Sequence, residues 1–196
     1  MKKLLLTAAA VFAFGFANAQ EFKFGVKAGL NLGDLSGNAT EAFIDEDTNM
    51  RPSFHVGGLV EMKLSSKFAL QSEVVYSVEG AKQDVPGDSE KLIWDLQFIN
   101  IPVMAKFYAT EKLSFEAGPQ VGILTKAELV YDGDTVEELK NDSKSTAFSG
   151  NLGVGYNFTD NISAGLRYSI GLSDILDVDG YELKSNVLSL SGSYRF

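Results

Sequence analysis

The chain has 196 residues, no cysteine, one histidine and a formal net charge of −9. Without thiols it can build neither a disulfide framework nor a thiolate metal site, and its acidity argues against nucleic acid, which needs positive faces to meet phosphate. No run after the first segment approaches the ~18 consecutive apolar residues of a membrane-crossing helix.

The first segment reads as a targeting peptide. Lys2 and Lys3 precede an apolar run from Leu4 to Phe16, and Ala17-Asn18-Ala19 supplies the small residues that a signal peptidase needs. The run is short of the ~20 residues of a membrane anchor. The expectation is cleavage before Gln20, leaving residues 20–196 as one domain; loss of Lys2 and Lys3 takes the charge to −11.

From there the pattern has period two, an apolar residue followed by a small or polar one, which is the signature of a strand with one apolar face. Phe22, Phe24, Val26, Ala28, Leu30 and Leu32 form the first face, and Phe54, Val56, Gly58, Val60, Met62 and Leu64 the second. Phe68 to Val78 is the third, Ile99 to Phe107 the fourth, and Leu113 to Ile123 the fifth. Phe148 to Phe158, Ile162 to Leu172 and Leu188 to Phe196 complete the set. Each is at least the ~9–11 residues a tilted strand needs to cross a bilayer. The connections alternate in length. Ser65-Ser66, Thr110-Glu111 and Thr159-Asp160-Asn161 are tight, whereas the stretches around 34–52, 80–91, 125–145 and 173–185 are long. Pro86-Gly87-Asp88 and Asp132-Gly133 are turn signals that extend two of the long connections as hairpins, and a single helical turn fits near Thr135–Lys140.

Alternation does not by itself say which face looks inward. Three features point the apolar face to lipid. The other face is rich in Gly and Ser, which suit a narrow eight-stranded interior and not a solvated strand. Aromatics gather beside the short turns (Phe22, Phe68, Phe107, Phe115, Phe158, Tyr194 and Phe196), as in an interfacial girdle. The four long connections carry eighteen acidic and seven basic residues, while the strands, the short turns and Glu21 together hold eight of each and are neutral. These features predict an all-β fold: an eight-stranded antiparallel up-and-down transmembrane β-barrel in the outer membrane. The N-terminus and short turns would be periplasmic and the long loops extracellular. The rival fold reading is a soluble exported barrel that carries a small apolar ligand in its interior.

Strand depth places Lys27, Lys106 and Arg167 in the middle layers of the lumen with Glu61, Glu73 and Glu116, three charges of each sign. The expectation is a closed lumen held by charge pairs, Glu73 with Arg167 first among them. His55 is the one candidate catalytic base, with Ser53, Ser77 and Glu73 able to lie near it; nothing in the spacing assembles a nucleophile and an orienting acid, so the chain reads as non-enzymatic and cofactor-free. The run from Asp177 through Asp179 to Glu182 starts like a calcium loop but lacks the twelve-residue spacing. Together with Asp45, Glu46 and Asp47 it reads as solvated loop acid, open to an extracellular basic protein or to divalent cations. Asn161-Ile162-Ser163 fits a glycosylation pattern that a bacterial envelope protein would not normally use.

Gly25-Val26-Lys27-Ala28-Gly29-Leu30-Asn31, Ile99-Asn100-Ile101-Pro102-Val103 and Arg167-Tyr168-Ser169-Ile170-Gly171-Leu172, followed by the closing Gly192-Ser193-Tyr194-Arg195-Phe196, resemble the PorT-like outer-membrane barrels of Bacteroidetes over nearly the whole mature chain. The resemblance implies the fold, a place in outer-membrane lipid, and a terminal signal, Tyr194 and Phe196, read by barrel-assembly machinery. It implies no single activity. Some relatives assist secretion, which stands as a further alternative, but no residue here marks that subgroup.

Overall fold

The computed structural model describes residues 21–39, 48–84, 91–140, 143–178 and 180–196. The leader 1–19, Asp45, Glu46, Asp47, Asp179 and the Pro86-Gly87-Asp88 turn lie outside the described residues. Ten strands follow in chain order: β1 (Phe22–Ser36), β2 (Thr48–Lys63), β3 (Phe68–Glu79), β4 (Ala81–Asp84), β5 (Lys91–Tyr108), β6 (Leu113–Tyr131), β7 (Asp134–Glu138), β8 (Thr146–Asn157), β9 (Ile162–Gly171) and β10 (Lys184–Arg195).

Eight of them close a ring, β1-β2-β3-β5-β6-β8-β9-β10, in which every neighbouring pair is antiparallel. Closure is made by β1 on β10, in register from Gly25↔Arg195 to Ser36↔Lys184. The short turns share one device. A hydroxyl at the start of each turn accepts the amide three residues on: Ser65 from Phe68 at 3.1 Å, Thr110 from Leu113 at 2.9 Å and Thr159 from Ile162 at 2.9 Å. This local bond holds the chain in the reversal that starts the next strand.

The long-loop end is more strand-like than the alternation alone suggests. β2, β5 and β6 run 16, 18 and 19 residues, past the length a bilayer needs. β4 continues the line of β3 beyond Gly80 and pairs with both β2 and β5. Gly80 has φ 114°, and a Cβ there would collide with the Trp94 carbonyl, so only glycine fits the bend. β7 folds back on β6 through Asp132-Gly133, whose φ values of 50° and 81° are those of a two-residue hairpin turn. The expected helical turn over 135–140 is therefore a strand as far as Glu138, because the Asp-Gly turn sets residues 134–138 against β6.

The outward face is apolar throughout the ring: Phe24, Leu30, Leu152 and Leu190 all stand more than half exposed. Water would not leave such a belt bare, and lipid is the solvent that covers it. The inward face holds Lys27, Glu61, Glu73, Lys106 and Arg167, all buried. It also holds more apolar bulk than a wholly polar lumen would. Leu59, Val75 and Met104 lie inside, and an apolar core of Leu35, Trp94, Leu96, Phe98, Leu124, Ala127, Ile175 and Leu183 fills the long-loop end. A bulge builds part of that core. Gln97 pairs with Lys126 but Phe98 with Leu124, so Thr125 is the extra residue, and Leu124 and Ala127 both turn inward.

Candidate functional site

The interior is organised around two carboxylates. Glu73 on β3 receives Lys27 from β1 at 3.2 Å and a two-pronged Arg167 from β9 at 2.7 and 3.0 Å. Arg167 also reaches Glu116 on β6, through Nε at 2.8 Å. Four strands spaced around the ring thus meet at its axis. Glu61 on β2 is the second hub, nearer the short turns: it accepts from Lys106 at 2.7 Å, the Tyr108 hydroxyl at 2.8 Å and Arg195 at 3.1 Å. Gln71 joins the two, donating to Glu73 at 2.6 Å and accepting from Lys106 at 3.0 Å. The structure therefore brings Lys27, Glu73, Glu116 and Arg167 into one cluster and Glu61 and Lys106 into another.

Neighbouring glycines make room. A Cβ at Gly153 would meet the Glu116 carboxylate at 2.9 Å, so the absent side chain is space that the charge layer uses.

Towards the long loops the lining turns neutral. His55 Nδ1 bonds the Asn31 side-chain oxygen at 2.8 Å, and Asn31 donates to Ser77 at 3.0 Å and to the Val78 carbonyl at 3.0 Å. Because Asn31 presents its oxygen, His55 Nδ1 is the donor. The Ser53 hydroxyl donates to the Val78 carbonyl at 2.6 Å. His55 thus engages an amide and Ser53 engages backbone, within one polar network. Above it, Glu79 accepts from Asn100 at 2.8 Å and Ser185 at 2.9 Å. Arg51 then binds Asp95 at 2.7 Å and the carbonyls of Glu79 and Trp94, clamping the Gly80 bend.

Three loops interlock over the apolar core. Ile175 donates to Leu183 O at 2.7 Å, Lys144 to Ile175 O at 2.7 Å, and Ala39 to Glu182 O at 3.1 Å. Asp177 is exposed on this rim. Among the described residues no group of three or more His, Asp or Glu is placed to hold a metal ion. The spaces left between lumen side chains are about 30, 30 and 10 Å³, room for a water or two. A larger one of about 240 Å³ opens among the short turns, lined by Lys23, Glu61, Tyr108 and Arg195.

At that end Tyr194 stacks edge-on with Phe196 at 5.5 Å and Tyr156 with Phe158 at 5.2 Å, while Phe68 and Phe107 pack tilted at 5.3 Å. Phe196, 72 % exposed, is tied by its amide to the Phe24 carbonyl at 2.8 Å. Glu21, ahead of β1, pairs with Lys23 at 3.4 Å and Lys63 at 3.5 Å, and the ammonium groups of Lys63 and Lys23 hold its carboxyl below the usual range.

Reading the middle layers alone passes over Arg195, Tyr108, Gln71 and Glu79. Their signal is phase. Gln71 and Glu79 share the inward phase of Glu73, Tyr108 that of Lys106, and Arg195 alternates with the outward Tyr194 and Phe196.

A family model described as outer membrane protein beta-barrel domain matches residues 16–177. Among solved structures, the chain is similar to Ail, the attachment invasion locus protein of Yersinia pestis, at 14 % identity and a TM-score of 0.53, covering 90 % of this chain and 99 % of that one. A second structure of Ail, in complex with the heparin analogue sucrose octasulfate, matches at 14 % identity and a TM-score of 0.51 over 90 % and 99 % of the two chains. Neisserial surface protein A matches at 15 % identity and a TM-score of 0.49 over 88 % and 97 %. At these identities the likeness is one of fold. No curated protein matches the chain in sequence.

Proposed function

Because the chain belongs to the outer membrane protein beta-barrel domain family, we propose that it is a non-enzymatic outer-membrane barrel with a closed lumen, whose acidic long loops face outside and meet a partner there. Within the family we place it with the PorT-like barrels of Bacteroidetes, on the motifs Gly25–Asn31, Ile99–Val103 and Arg167–Leu172.

The observation that carries the interaction reading is the split of charge: eighteen acidic against seven basic residues in the four long connections, over a barrel body that is neutral. A structure needed only to fill the membrane has no use for such loops, and recognition residues gather on loops that a rigid scaffold holds. The interlocked loops and their apolar core support the same reading, since they offer a held surface and not a loose tether. A basic protein surface suits this field, with an association rate that falls as salt rises. The heparin analogue in complex with Ail is a polyanion, and the charge here repels one, so that ligand is not carried over. The closed lumen is supported by the two carboxylate hubs and by the small spaces between their side chains.

Pull-down from envelope and extracellular fractions, with wild-type protein and with a D45N/E46Q/D47N variant, tests the interaction reading at low and high salt. The expected result is a partner retained by the wild type at low salt and lost with either the charges or the salt. Retention that ignores both, or no partner at all, overturns it. If the acids serve divalent cations instead, calcium will protect the loops from protease in place of a protein partner.

A further inference from the structure

A closed ring removes every sheet edge, yet the hairpin above it puts one back. Among the described strands β7 alone pairs on one side only. All five of its residues, Asp134 to Glu138, are exposed. The hairpin that presents them is braced: the Thr135 hydroxyl bonds Glu128 at 2.9 Å and the Leu139 amide bonds the Ala127 carbonyl at 2.9 Å. A free edge of this kind carries a row of backbone donors and acceptors that another extended segment can complete.

The side chains select the occupant. Asp134, Glu137 and Glu138 put three acids and no base on β7. A second copy of the chain would set these acids against themselves, so self-pairing is unfavourable. An extended segment carrying Lys or Arg meets opposite charge along the same line. The register also shifts between Leu129 and Val130, leaving Val136 as the extra residue and 56 % exposed, an apolar side chain beside the acids.

We propose that the free edge of β7 is a docking strand for an extended, Lys- or Arg-rich segment of another protein, which adds to the sheet as a further strand. This rests on the reading of the long loops as an acidic outer rim, and it assigns the contact to one edge and to backbone pairing.

The test uses the full mature chain folded in detergent and a dye-labelled twelve-residue peptide of alternating Lys and Thr. A control peptide has the same side chains with every backbone amide N-methylated, so it keeps the charge and loses the donors. Binding is read by fluorescence anisotropy and by amide hydrogen exchange. The unmethylated peptide is expected to bind and to slow exchange within residues 134–138, and the methylated one to bind about tenfold or more weakly. A D134N/E137Q/E138Q variant is expected to lose about tenfold in affinity at low salt and little more at high salt. Equal binding of the two peptides, or protection outside β7, overturns the docking edge while leaving the acidic-rim reading in place. No binding of either peptide overturns the docking edge, and the pull-down of the Asp45, Glu46 and Asp47 variant then decides the rim reading separately. The methylated control uses wild-type protein, so the answer does not depend on a variant that folds.

Discussion

Glu73 is held by two cations and an amide at once, and neither neighbouring strand, β2 or β5, supplies any of them: Gln71 shares β3, Lys27 comes from β1 and Arg167 from β9, 94 positions away in the chain. A buried carboxylate that loses its partner is costly because the remaining charge has no water to fall back on. Arg167→Met should therefore destabilise the folded barrel by about 3–5 kcal/mol, read as a lower urea midpoint of unfolding in lipid or detergent. Adding Glu73→Gln to that variant should recover part of the loss, because it removes one stranded charge; an unchanged midpoint for Arg167→Met would dismiss the network. Gly80 makes a second residue-scale case. Its φ of 114° and the Trp94 carbonyl behind it leave no place for a side chain, so Gly80→Val should loosen the apolar core, seen as faster proteolysis of the long-loop end while the ring remains folded. The inward phase of Glu73 and Arg167 is legible in the alternation of β3 and β9. Which cation reaches which acid is not, because those distances run across the lumen between strands that are not neighbours.

At the scale of an element, β10 closes the ring and β6 carries the largest departure from simple alternation. The β10 strand ends with Arg195 inward on Glu61 and Tyr194 and Phe196 outward as a stacked pair, so its last residues work on both faces of the wall. Loss of Phe196 removes an aromatic from the interface at the seam with β1. Phe196→Ala should lower the amount of folded, heat-modifiable protein in the outer membrane more than substitution of any loop residue; wild-type levels would count against an assembly role. On β6, Thr125 shifts the register, so that Lys126 to Tyr131 present the opposite phase from Leu113 to Leu124. Deleting Thr125 would remove the bulge and let Lys126 follow Leu124 directly, so that Lys126 still faces Gln97 and Ala127 stays in the core against Leu96. The expected outcome is a ring and a β6–β7 hairpin that both form, the hairpin cut by protease no faster than in the wild type; rapid cleavage of the hairpin would show that the bulge itself is needed. The alternation up to Ile123 is regular and could be read directly. Past it the bulge resets the period, and a reader of period two finds only an irregular loop around 125–145.

For the molecule as a whole, eight strands enclose an interior that side chains fill, and the layers along it differ: a charged middle, a neutral polar layer and an apolar core below the interlocked loops. Such an interior should pass no large current, and stable conductance of the porin scale in planar bilayers would refute the closed lumen. Removal of the first 19 residues belongs to the same scale, and its ground is the basic start, the apolar run and Ala17-Asn18-Ala19; mass spectrometry of envelope fractions should find a mature chain that starts at Gln20, and a start elsewhere would refute the cleavage.

The number of ring strands and their antiparallel order were determined by the sequence alone, because both follow from local periodicity: Phe22 to Leu32 alternates whatever it packs against, and tight turns such as Thr110-Glu111 can only join adjacent strands. The outward face was legible too, but from composition, in the Gly and Ser of the other face and the aromatics beside the short turns. The charge split between loops and barrel body is likewise a matter of composition along the chain. The partners of Arg195 and Glu79, the bend at Gly80 and the core built from Trp94, Phe98, Ile175 and Leu183 were decided only by the tertiary structure. Each depends on closure of the ring. Closure brings Arg195 within reach of Glu61 and seats Ile175 and Leu183 over a mouth formed by β1, β4, β5 and β6, and no window of consecutive residues contains those distances.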